Sequence, residues 1–170
     1  MKTLIALVIT LMIITACSTA APTAAQGVLS AKQGCPLTAR PDPRFVPPAP
    51  YPPFPDAGYF YHGSAGLWTA LPDSGEWGAL PYSDGHFHQK LVYWSDVFDM
   101  HAEPQPDITI TLRHLDSELA PMVVSEATHG YVEPEKSFIL SGLSIPESGC
   151  WEISAQYKGS GNSFVIWVEG

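Results

Sequence analysis

Residues 149–157 read Gly149-Cys150-Trp151-Glu152-Ile153-Ser154-Ala155-Gln156-Tyr157. In an extended chain this stretch has a period of two. Trp151, Ile153, Ala155 and Tyr157 fall on one side, and Cys150, Glu152, Ser154 and Gln156 on the other, the pattern of a half-buried strand. Residues 107–115 (DITITLRHL) alternate even more cleanly, with Ile108, Ile110 and Leu112 inward and Thr109, Thr111 and Arg113 outward. Further strands are expected at His86–Trp94, Met122–Ser125, Phe138–Ile145 and Ser163–Val168, the last reached by a turn over residues 158–162. Gly66–Leu71 and Glu76–Leu80, flanking Pro72-Asp73-Ser74-Gly75, read as a hairpin. No window combines helical spacing with a cap and a stop. Seven or eight short strands predict an all-β, immunoglobulin-like antiparallel β-sandwich.

The chain has 170 residues, 45% of them hydrophobic and 11% aromatic, a composition that builds one core. Eight Lys+Arg against seventeen Asp+Glu give a net charge of -9. Nucleic acid is excluded as a partner, because binding by counterion release needs a basic surface. The same charge balance argues against adsorption to an anionic lipid surface.

Residues 1–16 (MKTLIALVITLMIITA) join one basic residue, Lys2, to an apolar run from Leu4 to Ile14, short for a membrane span and fitting for an export signal. The run ends in Ile14-Thr15-Ala16-Cys17, which resembles the lipobox of bacterial lipoproteins. The resemblance implies cleavage before Cys17, diacylation of its sulfur, and attachment at the extracytoplasmic face of a membrane in the cell envelope. Ser18 is not the aspartate associated with inner-membrane retention in enteric lipoproteins. Residues 17–34 then read as lipidated cysteine and flexible tether, 35–55 as a proline-rich arm and 56–170 as the sandwich domain. With Cys17 acylated, Cys35 and Cys150 remain as an even pair in an oxidising compartment, and a disulfide is the economical reading. A reactive thiol served by a histidine is the alternative. Since Trp151 faces the core, Cys150 faces away from it, so the disulfide should staple the arm to the outside of the sandwich.

The arm carries Pro36, Pro41, Pro43, Pro47, Pro48, Pro50, Pro52, Pro53 and Pro55, interleaved with Phe45, Tyr51 and Phe54. That density excludes helix and central strand and favours polyproline II. The arm is expected to lie along the domain with its aromatics packed down. Tyr51, Phe54, Tyr59, Phe60, Tyr61 and Trp68 either seal one end of the sandwich or line a surface for a sugar or protein partner, sealing being the first expectation.

The order of motifs Cys35-Pro36-Leu37-Thr38, Gly66-Leu67-Trp68-Thr69-Ala70-Leu71-Pro72, Lys90-Leu91-Val92-Tyr93-Trp94-Ser95, Glu103-Pro104-Gln105-Pro106, Leu112-Arg113-His114-Leu115-Asp116, Gly149-Cys150-Trp151-Glu152-Ile153 and Phe164-Val165-Ile166-Trp167-Val168 resembles a family of bacterial lipoproteins and secreted proteins. The resemblance runs from residue 35 to the end. It implies pairing of the CPxT-like cysteine with the GCWE cysteine, and brings no activity. His114 stands where family members carry a second arginine.

Phosphate-binding glycine loops, H-E-x-x-H and G-x-S-x-G are absent from the sequence; His62-Gly63-Ser64-Ala65-Gly66 lacks the first glycine of the last motif. No catalytic residue and no cofactor is expected, and the chain reads as a non-enzymatic binding or structural module. The alternative is an extracytoplasmic zinc- or copper-binding protein. On a strand His86 and His88 share a side and could bind metal if a third ligand came from elsewhere, with Asp96, Asp99, His101 and Glu103 nearby in sequence. His114, ending the apolar side of its strand, is expected to be a rim or core histidine with a partner.

Overall fold

The computed structural model describes residues 31–133 and 136–170. The expected signal, Cys17 and most of the tether lie outside them. A single 3₁₀ turn over Ala31–Gly34 precedes the strands β1 (Tyr59–Ser64), β2 (Leu67–Pro72), β3 (Glu76–Trp77), β4 (Tyr82–Ser83), β5 (His86–Trp94), β6 (Ile108–His114), β7 (Met122–Val124), β8 (Thr128–Val132), β9 (Lys136–Ile145), β10 (Gly149–Tyr157) and β11 (Ser160–Val168). They form two sheets. Sheet A runs β1-β2-β5-β9-β8 with β4 beside β5, and sheet B runs β3-β11-β10-β6-β7. The architecture is an antiparallel β-sandwich of immunoglobulin-like layout, with β3 joining β11 in parallel.

The alternation read from the sequence sets the core. Trp151, Ile153, Ala155 and Tyr157 of β10 and Ile108, Ile110 and Leu112 of β6 are buried against Leu67, Leu71, Leu91, Tyr93, Ile139 and Leu143 of sheet A. Each large side chain so buried contributes about 1.5–3 kcal/mol of transfer free energy. Gly149 opens β10 at φ 134°. A Cβ there would come within 2.5 Å of His114 Nε2, so the glycine is required both by the backbone and by the ring beside it.

Three local expectations need correction. Residues 66–80 are not a hairpin: β2 pairs with β1 and β5 in sheet A, whereas β3 pairs with β11 in sheet B. The Pro72–Gly75 turn therefore passes the chain from one sheet to the other. Second, β11 begins at Ser160, because Lys158 and Gly159 both adopt left-handed φ (45° and 82°) and close a two-residue turn. Third, the last tether residues are packed: Lys32 pairs with Glu76, and its carbonyl accepts from the Cys35 N–H.

Cys150 points outward from β10 yet has no exposed surface, since the arm covers it. It is bonded to Cys35, across a Cα–Cα distance of 5.6 Å and 115 positions of sequence. From there the arm follows the outer edge of β11. Thr38 N–H donates to the Val165 carbonyl (2.9 Å), and Val165 N–H donates to Thr38 Oγ1 (2.8 Å). Gly75 and Trp77 carbonyls accept from Trp167 and Glu169, and His62 Nε2 lies 2.9 Å from the Ser163 carbonyl. These contacts close an edge that would otherwise invite another strand. Arg40 pairs with Asp73 as the arm turns the corner toward sheet A.

Candidate functional site

The outer face of sheet A is where the arm ends, and its side chains follow from register. Trp68 of β2 sits directly beside Trp94 of β5. Next on that face, on β9, comes Phe138, opposite Gly130 of β8. A Cβ at residue 130 would collide with the Phe138 ring, so the glycine gives that ring its seat. An aromatic row thus crosses the sheet.

The arm covers only one end of it. Tyr51 meets the Trp68 ring edge-on at 4.9 Å and Phe45 lies 6.0 Å from it, leaving Trp68 with no exposed surface. The Tyr51 hydroxyl donates to the Ser95 carbonyl at 3.3 Å. Burial, with the Asp96 carboxylate adding to it, raises the pKa of that hydroxyl, so the proton stays in place at neutral pH.

Beyond Trp68 the row is open. A groove of about 640 Å³ runs along Trp94, Phe138, Val92 and Val132, walled by Tyr59, Tyr61 and the arm's Pro52, Phe54 and Pro55. Phe54 is 59% exposed and Tyr59 48%. Tyr61 packs edge-on against Trp94 at 5.7 Å, and the Trp94 indole N–H has no hydrogen-bond acceptor among the described residues. Asp56 is the one charged side chain among the described residues lining the groove. Ring faces and aliphatic carbon therefore dominate the surface, suited to holding a neutral, partly apolar ligand.

The aromatic residues singled out in the sequence divide. Phe60 is in the core and Trp68 under the arm, as sealing requires, whereas Phe54, Tyr59 and Tyr61 wall the groove. In the sequence Trp94 and Phe138 stand out only as strand residues. Their place beside Trp68 depends on strand pairing across the sheet, and the even positions of β5, Val92 and Trp94, were the available signal.

The histidine pair lies elsewhere. Asp84 and Gly85, at φ 52° and 80°, form the two-residue turn between β4 and β5, so the acidic residue before His86 serves the hairpin. His86 Nδ1 is 2.9 Å from the Asp84 carbonyl. His88 Nε2 is 2.9 Å from Ser83 Oγ, and its Nδ1 is 3.4 Å from Ser144 Oγ. Among the described residues no group of three His, Cys, Asp or Glu side chains is placed to hold a metal ion. Asp99 is turned to the His101 N–H. Glu103 accepts from Tyr157, Lys158 and the Asp107 N–H. His114 is buried against Trp151 at 4.6 Å, its Nε2 3.2 Å from the Ser148 carbonyl and its Nδ1 without a partner among the described residues.

Comparison with protein-family models, curated proteins and solved structures finds no match to this chain.

Proposed function

We propose that this chain is a lipid-anchored, extracytoplasmic binding module of the bacterial cell envelope, without catalytic activity. The observation that carries the binding role is the open half of the aromatic row: Trp94 and Phe138 continue a surface whose other half, Trp68, the chain's own arm already occupies. A groove with one charged side chain among its described lining residues offers contact area and little for proton transfer or nucleophilic attack. The anchor rests on Ile14-Thr15-Ala16-Cys17, and the oxidising compartment is supported by the Cys35–Cys150 bond.

The anchor is tested by expressing the full chain in a bacterium fed an alkyne-tagged palmitate. The wild type should incorporate the tag and fractionate with membranes, and Cys17→Ser should do neither. A tag retained in Cys17→Ser, or an untagged wild type in the soluble fraction, would sink the anchor.

A further inference from the structure

Gly142 sits inside β9, the strand between β5 and β8 in sheet A, and nothing in the fold asks for a glycine there. A glycine within a strand weakens it, and marks a bulge, a close packing partner or the approach of a ligand. The pairing of β9 with β5 runs unbroken from Phe87 opposite Ile145 to Tyr93 opposite Ile139, which excludes a bulge. The residue has no left-handed φ. A Cβ at residue 142 would meet no atom within 4 Å, in contrast to Gly130 under the Phe138 ring, which excludes a packing partner. What remains is an approach from outside.

Gly142 shares its face of the sheet with Trp94 and Phe138. With Leu140 and its cross-strand partner Lys90 it floors a second groove of about 650 Å³, walled by residues 123–128. Lys90 and Leu140 follow Val92 and Phe138 at a two-residue step along their strands, so the two grooves form one trough. From Lys90 to Trp94 it runs about 14 Å, at about 3.4 Å per residue. One end offers ring faces. The other offers Lys90, Ser125, Glu126 and Thr128, whose side chains make no hydrogen bond or ion pair among the described residues, whereas Lys32, Arg40, Arg113 and Lys158 are each ion-paired.

These features select a class of ligand. Over the face of paired strands the backbone groups point within the plane of the sheet, so an extended peptide finds no main-chain partner there; strand addition belongs at an edge. Recognition has to run through ring faces, which take the C–H face of a pyranose, and through free polar side chains, which take hydroxyls. A saccharide chain presents both along its whole length. The charged lining residues are Asp56 and Glu126 against Lys90, on a chain of net charge -9, so a neutral ligand is favoured over an anionic one.

We infer that the trough over Trp94, Phe138 and Gly142 binds a neutral oligosaccharide, stacked on the rings at the arm end and held by its hydroxyls at the Lys90 end. This rests on the binding role proposed above and names its ligand class.

The full disulfide-bonded chain, in a zwitterionic detergent, is titrated with tetrasaccharides of glucose, mannose, galactose and N-acetylglucosamine and with a tetramer of galacturonic acid, and followed by NMR at the Trp94 indole N–H and the Gly142 amide. At least one neutral sugar should shift both resonances saturably. Gly142→Val puts a strand-favouring side chain into open space, so it should keep or raise the thermal midpoint while weakening that sugar at least about tenfold. Lys90→Met, at an exposed position, should weaken it at least about threefold with the midpoint unchanged. No saturable shift by any neutral sugar at millimolar concentration overturns the inference, as does a Gly142→Val variant that binds like the wild type or loses stability. If only the galacturonate binds, the ligand class falls while the binding role stands. Dilution shifts at Trp94 that no sugar reproduces assign the trough to a second copy of this chain, with the same consequence. If nothing titrates the trough, the binding role falls as well.

Discussion

Reduction of the Cys35–Cys150 bond should remove a large part of the domain's stability. The bond closes 115 positions, nearly the whole described chain. Loop-closure entropy for a ring of that length gives about 5 kcal/mol as a ceiling, against a net stability of about 5–15 kcal/mol for a typical domain. On the native side the arm has other fastenings besides the bond: the Thr38–Val165 pair, the Arg40–Asp73 ion pair and the Tyr51–Trp68 contact. The effect therefore acts chiefly through a more expanded unfolded state. Urea unfolding of Cys35→Ala, followed by tryptophan fluorescence, should show a loss of about 3–5 kcal/mol and a steeper dependence on urea, since the uncrosslinked chain exposes more surface. Cys150→Ala should cost about the same. A loss below about 1 kcal/mol, or an unchanged urea slope, would refute the loop-entropy argument. A much larger loss for Cys150→Ala alone would show that the buried sulfur matters as packing.

Thr38→Val keeps the side chain's shape but removes the acceptor for the Val165 N–H, and should cost about 1–2 kcal/mol while accelerating hydrogen exchange at that amide specifically. Burial acts to raise the Glu103 carboxyl, but hydrogen bonds from Lys158, Tyr157 and the Asp107 N–H outweigh it and hold the pKa at about 2. A carboxyl lowered by folding contributes stability above its unfolded value of 4.5, and that contribution disappears as pH falls from there toward 2. Glu103→Gln should thus lower the thermal midpoint at pH 7, by an amount equivalent to about 1 kcal/mol after solvent screening, and match the wild type near pH 2; a gap that stays constant with pH contradicts this. Gly130→Ala should displace the Phe138 ring from its seat, cost about 1–3 kcal/mol by overpacking, and shift the NMR resonances of Trp94.

The sequence makes the sandwich legible wherever one face of a strand meets core and the other meets water. β6 and β10 are such strands, and their alternation survives in the burial of Ile108, Ile110, Leu112, Trp151 and Ile153. β1 and β8 escape that reading for different reasons. β1 (YFYHGS) has aromatic residues on both sides because the arm and groove cover what is normally the wet face, and β8 is a short edge strand centred on a glycine. The hairpin expected across Pro72–Gly75 fails because a turn motif specifies a reversal and cannot say which sheet receives the next strand. Asp84-Gly85 is the converse case: an Asp-Gly pair before alternating residues is a strong hairpin signal, and it turns the chain from β4 into β5. The groove itself is invisible in one dimension, as Trp68, Trp94 and Phe138 become neighbours only through the pairing of β2, β5 and β9.

The arm explains why so many aromatic side chains occupy the outside of this domain. It begins at Cys150 on the outer face of sheet B, closes the β11 edge through Thr38, and finishes on Trp68 on the outer face of sheet A. One segment thereby fastens both sheets from outside, and it needs an apolar landing surface on sheet A to do so. That surface runs on past the arm's last prolines, which is how a structural requirement leaves an open groove beside it. The described chain starts at the opposite face, where Lys32 pairs with Glu76 next to the disulfide. The first described residues and the groove thus lie on opposite faces of the sandwich.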